Sequence, residues 1–535
     1  MMKKIYLETF GCQMNVLDSE LVMGQLAALG YQFTPDLDAA GIVLYNTCSV
    51  REHSENKVRS RLGLLKTRKA AEPELVIGVI GCMAERDGAG MLKRLPHVDL
   101  LCGPGELDKL PTLLDNVFRT GRQQAALAGN TSRRSATLGA AEEDGLELLD
   151  LSRSFSAAES RYQAYVRVVR GCNKFCTYCV VPHTRGPEVS RPPESIIEEA
   201  RRLVAAGALE ITLLGQTVNH YHFEHAPASG PGGPMKRRTS FAQLLERLHE
   251  SVPELPRLRF ITSFPADFGD DILQVMAGCN RICKYLHIPA QSGSNRILKM
   301  MNRGYRVEEY QGLLERARRM VPGIALAGDM IVGFPSETEE DYQLSAKLVA
   351  ESRYKNCFIF KYSPRPGTLA IRRYPDDVPD EVKRERNNHL LHIQNEICEE
   401  LNRELIGQTL PVLCQGPSGW VRPADSIVAG AGSGRMRAPE FGAATTGGEV
   451  GVQFGPRMAA AMRGRVEVPV AARLVQQTRG FSDSVQLTGR TGADQIVVFP
   501  GLPEWEGQIV DVHIDEAHAM TIFGHAVTDA AVASS

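Results

Sequence analysis

Three times within residues 3–82 the chain runs a continuous apolar strand into a cysteine: KKIYLETFGC ends at Cys12, GIVLYNTC at Cys48 and ELVIGVIGC at Cys82. The first two are followed by segments with helical spacing, SELVMGQLAALGY with Leu21, Leu26 and Leu29 on one side, and SENKVRSRLGLLK. Strands without polar alternation are buried on both faces, and helices between them supply the covering layers, so the pattern dictates a parallel α/β sheet. Ligands in such sheets gather at the carboxyl ends of the strands. Cys12, Cys48 and Cys82 all sit there, and parallel neighbours bring their thiols to one edge. Each alone reads as an ordinary buried thiol; the repetition argues for a shared site.

A second α/β series starts at YQAYVRVVRGC. Pro193 suits the first turn of the next helix, Ile196, Ile197, Ala200, Leu203 and Val204 form its apolar stripe, and Gly207 stops it. Strands are predicted at EITLLG, RLRFITS, KYLHIPA, IALAGDMIVGF and NCFIFKYS, with a helix over 306–320. Ser336 and Glu339 have capping-box spacing ahead of EEDYQLSAKLVAES. Repeated βα units fit a full or partial parallel barrel with chemistry at the top of the strands. After helical sequence at 380–405, the segments QTLPVLCQG, DSVQLTGRT, QIVVFPG and GQIVDVHIDEA read as strands of a small β-barrel. The fold class is therefore α/β with a small all-β tail. The expected organisation is an N-terminal α/β domain over 1–121, a linker over 122–157, a (βα) barrel domain over 158–400, and a small β-barrel over 407–528 with a low-complexity insertion at about 417–481.

Composition narrows the partners. Charged residues make up 23% and apolar residues 43%, ordinary for a globular protein, and the net charge of −2 gives no global attraction to nucleic acid. An RNA-binding surface must then be a local patch. Basic clusters at 59–69, 235–238, 316–319 and in the insertion read first as solvated faces. No segment approaches the ~20 apolar residues that span a bilayer, and no secretory signal is visible. A cytoplasmic, monomeric chain without a membrane partner is expected. Twelve cysteines in such a chain point to metal ligation or reduced thiols and away from a disulfide scaffold.

The sharpest motif is GCNKFCTYC, which places Cys172, Cys176 and Cys179 in CxxxCxxC spacing directly after a strand. Thiolates are the ligands iron–sulfur clusters require. A cubane with three cysteines keeps one iron open to a small molecule. A zinc knuckle is the competing reading; it needs four closed ligands, and His183 is the nearest fourth. Cys102, Cys279, Cys283, Cys357, Cys398 and Cys414 are isolated or merely paired and read as structural. Gln216 and Gly333 lie at predicted strand ends where they could line a cofactor pocket, or could cap a strand and make a turn.

CxxxCxxC at the top of a first barrel strand, with Tyr178 before the last cysteine, resembles the radical S-adenosylmethionine superfamily. TFGCQMN (9–15), NTCSVRE (46–52), GC (81–82), TRGPEVSRP (184–192), LLGQTVN (213–219), HIPAQSGS (287–294), IVGFPSETEEDY (331–342) and YSPRPGT (362–368) resemble the methylthiotransferases within it, above all the tRNA-2-methylthio-N6-dimethylallyladenosine synthase group. The likeness covers most of 1–410 and resumes at ~485–527 as a TRAM domain. It implies a catalytic [4Fe–4S] cluster on Cys172, Cys176 and Cys179, and a second on Cys12, Cys48 and Cys82. It implies S-adenosylmethionine as both radical source and methyl donor, whose site Gln216 and Gly333 are expected to line from their strand-end positions. It further implies a tRNA substrate methylthiolated at C2 of an isopentenylated adenosine beside the anticodon, a low-potential electron donor and a sulfur donor. Sister enzymes acting on a ribosomal-protein aspartate or a threonylcarbamoyl-type adenosine remain open here, as does a non-catalytic iron–sulfur RNA-binding protein. The family usually has Gly where this chain has Ser336, which alters the backbone conformations open to that loop.

Overall fold

The computed structural model describes residues 3–49, 52–127, 145–153, 162–225, 238–418, 450–452 and 484–527. Strands β1 (Ile5–Gly11), β2 (Ile42–Thr47), β3 (Val76–Gly81), β4 (Leu100–Cys102) and β5 (Gln124–Ala126) form a parallel sheet in chain order, and Val450–Val452 pairs antiparallel with β1. Every residue of β2 and β3 is buried. Their side chains alternate between two cores: Leu44 and Ile80 pack with Leu17, Leu21 and Leu114 on one face, and Val43, Tyr45, Ile77 and Val79 pack with Val58 and Leu62 on the other. That is why these strands lack polar alternation. Helices α1 (Gln13–Ala28) and α2 (Glu52–Ala71) follow the first two strands. Leu21 and Leu26 are buried as expected, whereas Leu29 lies past the last turn and is exposed.

Residues 122–157, expected as a linker, contain β5 and a further helix. α3 (Cys82–Asp87) follows β3, and α4 (Gly145–Ser152) buries Leu146 and Leu149 in the core beneath β1. Two turns with two apolar contacts are too short to register as a periodic signal.

The second body is a partial parallel barrel. β6 (Gln163–Arg167), β7 (Glu210–Leu214) and β8 (Arg257–Ile261) form one three-stranded sheet; β9 (Tyr285–His287), β10 (Ala325–Val332) and β11 (Asn356–Lys361) form another. A parallel bridge between Leu258 and Ile282 joins them. Helix α5 (Pro193–Ala205) carries the predicted stripe, with Ile196, Ile197, Ala200 and Leu203 buried. The expected capping box at Ser336 and Glu339 is instead built by Thr338 and Asp341, which also holds Ser294 and Arg296. Ser336 takes φ +65°, left-handed backbone that glycine adopts freely, and is held there by its N–H and hydroxyl on Asp377.

β12 (Thr409–Pro417), β13 (Val485–Thr491), β14 (Ile496–Gly501), β15 (Ile509–Ala517) and β16 (Ile522–Ala526) close a small barrel in the order β12-β13-β14-β16-β15. β16, IFGHA, was not among the predicted strands: it is short and interrupted by glycine. The 417–481 insertion lies outside the described residues apart from 417–418 and 450–452.

The turn after β13 enters the amino-terminal mouth of the larger barrel. Ala493 packs among Tyr285, Ala325 and Ala327, and Asp494 faces Arg490, Arg259 and Lys355. Arg257, the first residue of β8, donates to the Arg490 and Pro411 carbonyls at 2.7 Å each. The small barrel thus stoppers one end of the large one and leaves the carboxyl end for chemistry. Asp494→Ala is expected to lower stability by about 3 kcal/mol, because three cations lose their shared carboxylate, seen as a reduced urea midpoint. Ser336→Gly is expected to raise stability by up to about 1 kcal/mol, the left-handed penalty net of the lost hydroxyl contact, seen in the same titration.

Candidate active site

In the sheet register Phe10, Thr47 and Gly81 stand side by side at the carboxyl edge, so the residues after them emerge together. Cys12 caps α1, Cys48 follows β2 and Cys82 opens α3. The glycines before Cys12 and Cys82 are needed for close approach: a Cβ on Gly11 would lie 2.7 Å from that of Cys48, and one on Gly81 would lie 2.4 Å from Asn46 Oδ1. Beneath the thiols Asn15 Nδ2 donates to Asn46 Oδ1 (3.0 Å), and Asn46 Nδ2 donates to Asn15 O (2.8 Å) and Ser19 Oγ (2.9 Å). These asparagines explain why TFGCQMN and NTC carry them: they lock the two loops in register.

The chemistry of this donor set suits an anionic iron–sulfur group. A hydrogen bond from Cys48, with Arg185 nearby, draws the Cys12 thiol down to about 6 despite burial. Burial raises Cys82, against which the Arg185 charge and the Thr184 hydroxyl work. Arg185 and Thr184 come from the other body, from the segment that follows Cys179.

Cys172, Cys176 and Cys179 lie in the loop after β6, close enough that Cys176 acts electrostatically on both Cys172 and Cys179. Burial pushes Cys172 up to about 12 and Cys179 higher still, so iron can be bound there only as protons leave. The sulfurs already accept hydrogen bonds, Val181 N–H to Cys179 Sγ and Arg303 Nη1 to Cys176 Sγ, both 3.4 Å. Thr177 anchors the loop through its N–H on Met301 O (3.0 Å) and its hydroxyl on Met300 O (2.9 Å). Among the described residues no group of three or more His, Cys, Asp or Glu is already drawn together as an ion-binding set. A cubane spreads its three thiolates over three irons.

The segment that leaves Cys179 meets the N-terminal triad. The helix Val181–Thr184 packs against α3, Thr184 hydrogen-bonds Cys82, and Arg185 is tied to Asp18 of α1 at 2.7 Å. Asp18 also meets Arg167, which pairs with Asp150 of α4 at 2.8 Å; Arg191 joins Asp150, Glu147 and Glu199. A second buried junction sets Glu55 of α2 between Arg86 and Arg365, the arginine of YSPRPGT, at 2.6 and 3.0 Å.

Gln216 stands at the carboxyl end of β7, half-buried, and no hydrogen bond is described for its side chain. Gly333 stands at the carboxyl end of β10 with φ +69°; its N–H goes to Glu337 at 2.7 Å, and the stem of Lys383 fills the side where a Cβ would project. Its turn-making role is thus the visible one. Cys102, Cys357 and Cys414 lie in three separate cores, Cys283 and Cys398 are buried elsewhere, and Cys279 is half-buried. Of the basic clusters, Arg68 holds the carbonyls of Leu37, Asp38 and Ala40, Lys69 pairs with Asp99, and Arg316 pairs with Asp270. Sequence reasoning missed Asp18, Arg185 and Arg303. Arg185 sits inside a quoted motif, but nothing in one sequence distinguishes a buried arginine from a solvated one.

Residues 4–103 match Uncharacterized protein family UPF0004, 166–349 the Radical SAM superfamily and 479–527 the TRAM domain. The tRNA-2-methylthio-N(6)-dimethylallyladenosine synthase of Rhodopirellula baltica is 41% identical over 529 residues, 99% of this chain and 96% of that protein. The chain belongs to the tRNA-2-methylthio-N6-dimethylallyladenosine synthase family. Because that alignment takes in nearly the whole chain, the 417–481 insertion lies within it. The synthase of Syntrophotalea carbinolica is 41% identical over 417 residues, 78% of this chain and 89% of that protein. A structure of the radical S-adenosylmethionine methyltransferase TsrM from Kitasatospora setae aligns with a TM-score of 0.49 at 14% identity, covering 69% of this chain and 74% of that one. Membership of the radical S-adenosylmethionine superfamily implies that cofactor and one [4Fe–4S] cluster in this synthase family member.

Gly171 tests the loop that carries Cys172, Cys176 and Cys179. It has φ +67°, and a Cβ there would lie 2.0 Å from Pro187 O. In Gly171→Ala the hairpin under Cys172 must shift, and bound iron is expected to fall by about four atoms per chain, one cubane, read by iron analysis of the purified protein.

Proposed function

We propose that this chain attaches a methylthio group to C2 of N6-dimethylallyladenosine beside the anticodon of tRNA, in the cytoplasm and as a monomer. What supports the reading is a cysteine triad at the carboxyl edge of each parallel body, with the segment that follows Cys179 reaching the N-terminal triad through Thr184 on Cys82 and Arg185 on Asp18. In this reading Cys172, Cys176 and Cys179 are the catalytic ligands of the radical-generating cluster, and Cys12, Cys48 and Cys82 hold a second [4Fe–4S] cluster. Bound there, the clusters and S-adenosylmethionine supply the one-electron chemistry, the sulfur and the methyl group.

The chain's own residues have separate tasks. Three thiolates at each site leave one iron for a non-protein ligand. Gln216 and the Gly333 turn border the S-adenosylmethionine pocket at the barrel rim, and Gln216 has a side-chain amide free to bind it among the described residues. Arg185 brings positive charge to the second triad, which favours anionic sulfur there. Thr491–Gln495 closes the opposite mouth of the barrel. An adenosine of a tRNA loop can unstack into such a rim, since loop bases splay outward, and the TRAM barrel contributes affinity for the RNA. A low-potential electron donor and a sulfur donor complete the turnover.

Nucleosides from tRNA of cells lacking the gene are expected to lose 2-methylthio-N6-isopentenyladenosine, to accumulate the unthiolated precursor, and to recover when the gene returns. Unchanged nucleosides would exclude this substrate. The joint Cys12→Ala, Cys48→Ala, Cys82→Ala variant is expected to lose thiolation entirely while still forming 5′-deoxyadenosine, measured by liquid chromatography and mass spectrometry. Full thiolation by that variant would remove the second cluster from the reaction.

A further inference from the structure

Most buried arginines near the triads have a carboxylate partner: Arg167 has Asp18 and Asp150, Arg185 has Asp18, and Arg191 has Asp150, Glu147 and Glu199. Arg303 does not. It is 6% exposed and has no ion pair among the described residues. Its guanidinium is fixed on every side by neutral groups: Nη2 donates to Pro289 O at 2.9 Å, Nε donates to Tyr305 Oη at 3.1 Å, and the plane lies over the rings of Phe264 and Tyr305 at 4.5 and 5.3 Å. Tyr305 is itself held by its hydroxyl on Ala290 O at 2.5 Å. The remaining arm, Nη1, points at Cys176 Sγ, 3.4 Å away.

A buried cation without a counter-charge is strongly unfavourable, and the arm of Arg303 that no neutral group holds is the one aimed at Cys176. The anion that balances it must therefore lie at Cys176. The same stretch of chain also braces the cysteine loop: Asn302 Nδ2 donates to Phe175 O at 3.1 Å, and Met300 and Met301 hold Thr177.

We propose that Arg303 is a positioning residue of the radical-generating site, whose counter-ion is the cluster bound through Cys176 and whose N–H···S hydrogen bond sets the reduction potential of that cluster. The proposal rests on the reading of Cys172, Cys176 and Cys179 as ligands. Reduction adds one negative charge to the cluster, and a fixed cation beside a ligating sulfur stabilises the reduced form; hydrogen bonds to the sulfurs and net charge are among the levers that set such potentials. Arg303 thereby acts on the equilibrium that precedes radical formation without touching substrate.

The experiment uses the full chain carrying Cys12→Ala, Cys48→Ala and Cys82→Ala, so that a single cluster contributes to the spectrum. In an EPR-monitored redox titration, Arg303→Met is expected to lower the reduced-to-oxidised ratio at a fixed potential about tenfold, a shift of about 59 mV to more negative values for one electron. Arg303→Lys, which keeps the charge but not the planar fork, is expected to shift less. Independently of any Arg303 variant, the Arg303-containing protein labelled with 15N only in arginine is expected to show an arginine nitrogen hyperfine coupling in pulsed EPR of the reduced cluster. If Arg303→Met does not load, the labelled protein decides alone. A loaded cluster with no arginine coupling, or with an unmoved potential in Arg303→Met, overturns the role of Arg303 while leaving the ligands in place. Absence of any cluster in the Arg303-containing background overturns the ligand reading itself.

Discussion

Asp18 sits where two folds meet, and the site depends on what it holds. It is fully buried on α1, one turn and a half beyond Cys12, and it reaches both Arg185 and Arg167 of the barrel body. Through Arg167 the charge network continues to Asp150 on α4 and through Arg191 to Glu199 on α5. One connected set of ion pairs thus spans the helix that Cys12 caps, the strand that feeds the Cys172, Cys176 and Cys179 loop, and the segment that leaves it. A network of this kind adds little net stability over apolar packing of the same volume, because desolvation offsets most of the attraction. What it adds is register: each guanidinium and carboxylate has one geometry that satisfies its partners, and a slide between the bodies breaks several pairs at once.

The stoppered mouth makes the asymmetry of the barrel explicit. Arg257, Arg259, Tyr285 and Lys355 lie at or near the amino-terminal ends of their strands and are consumed by the turn around Asp494, while the carboxyl ends carry the cysteine loop, Gln216 and Gly333. Parallel strands have only one edge where loops can converge on a ligand. Using the other edge as a docking surface for the small barrel ties that barrel to the rim without obstructing it.

Much of this was legible in the sequence, and for a simple reason. Two-sided burial writes itself as unbroken apolar runs, so β1 to β3 and the barrel strands could be read directly, and the recurrence of cysteine at their ends placed Cys12, Cys48 and Cys82 on one edge before any geometry was known. What escaped were features whose signal is a partner distant in the chain. α4 looked like linker because its hold is two leucines and an aspartate that answers arginines 17 and 41 positions away. The capping residue was set two positions early because Ser336 has capping chemistry but occupies a left-handed turn, and Thr338 does the work. β16 escaped because a five-residue strand closing a barrel needs little sequence of its own. Arg185 is an ordinary letter of TRGPEVSRP and Arg303 lies outside every motif; only burial separates them from solvated arginines.

The contrast between those two arginines carries the last step. Arg185 is neutralised by Asp18, so its influence on the N-terminal triad is that of an ion pair: short in range, and strong in fixing position. Arg303 is held by one carbonyl, a phenol and two rings, all neutral, so its charge is left facing Cys176. The two sites therefore differ in what surrounds them although both present three thiols. A site that must accept an electron at low potential benefits from an uncompensated cation at the sulfur. The N-terminal triad lies where the two bodies meet, and its compensated arginine keeps those bodies aligned. Radical chemistry tolerates little misplacement, since reacting atoms must lie within contact distance for the step to be fast, and it is the alignment of two separately folded edges that the Asp18 network secures.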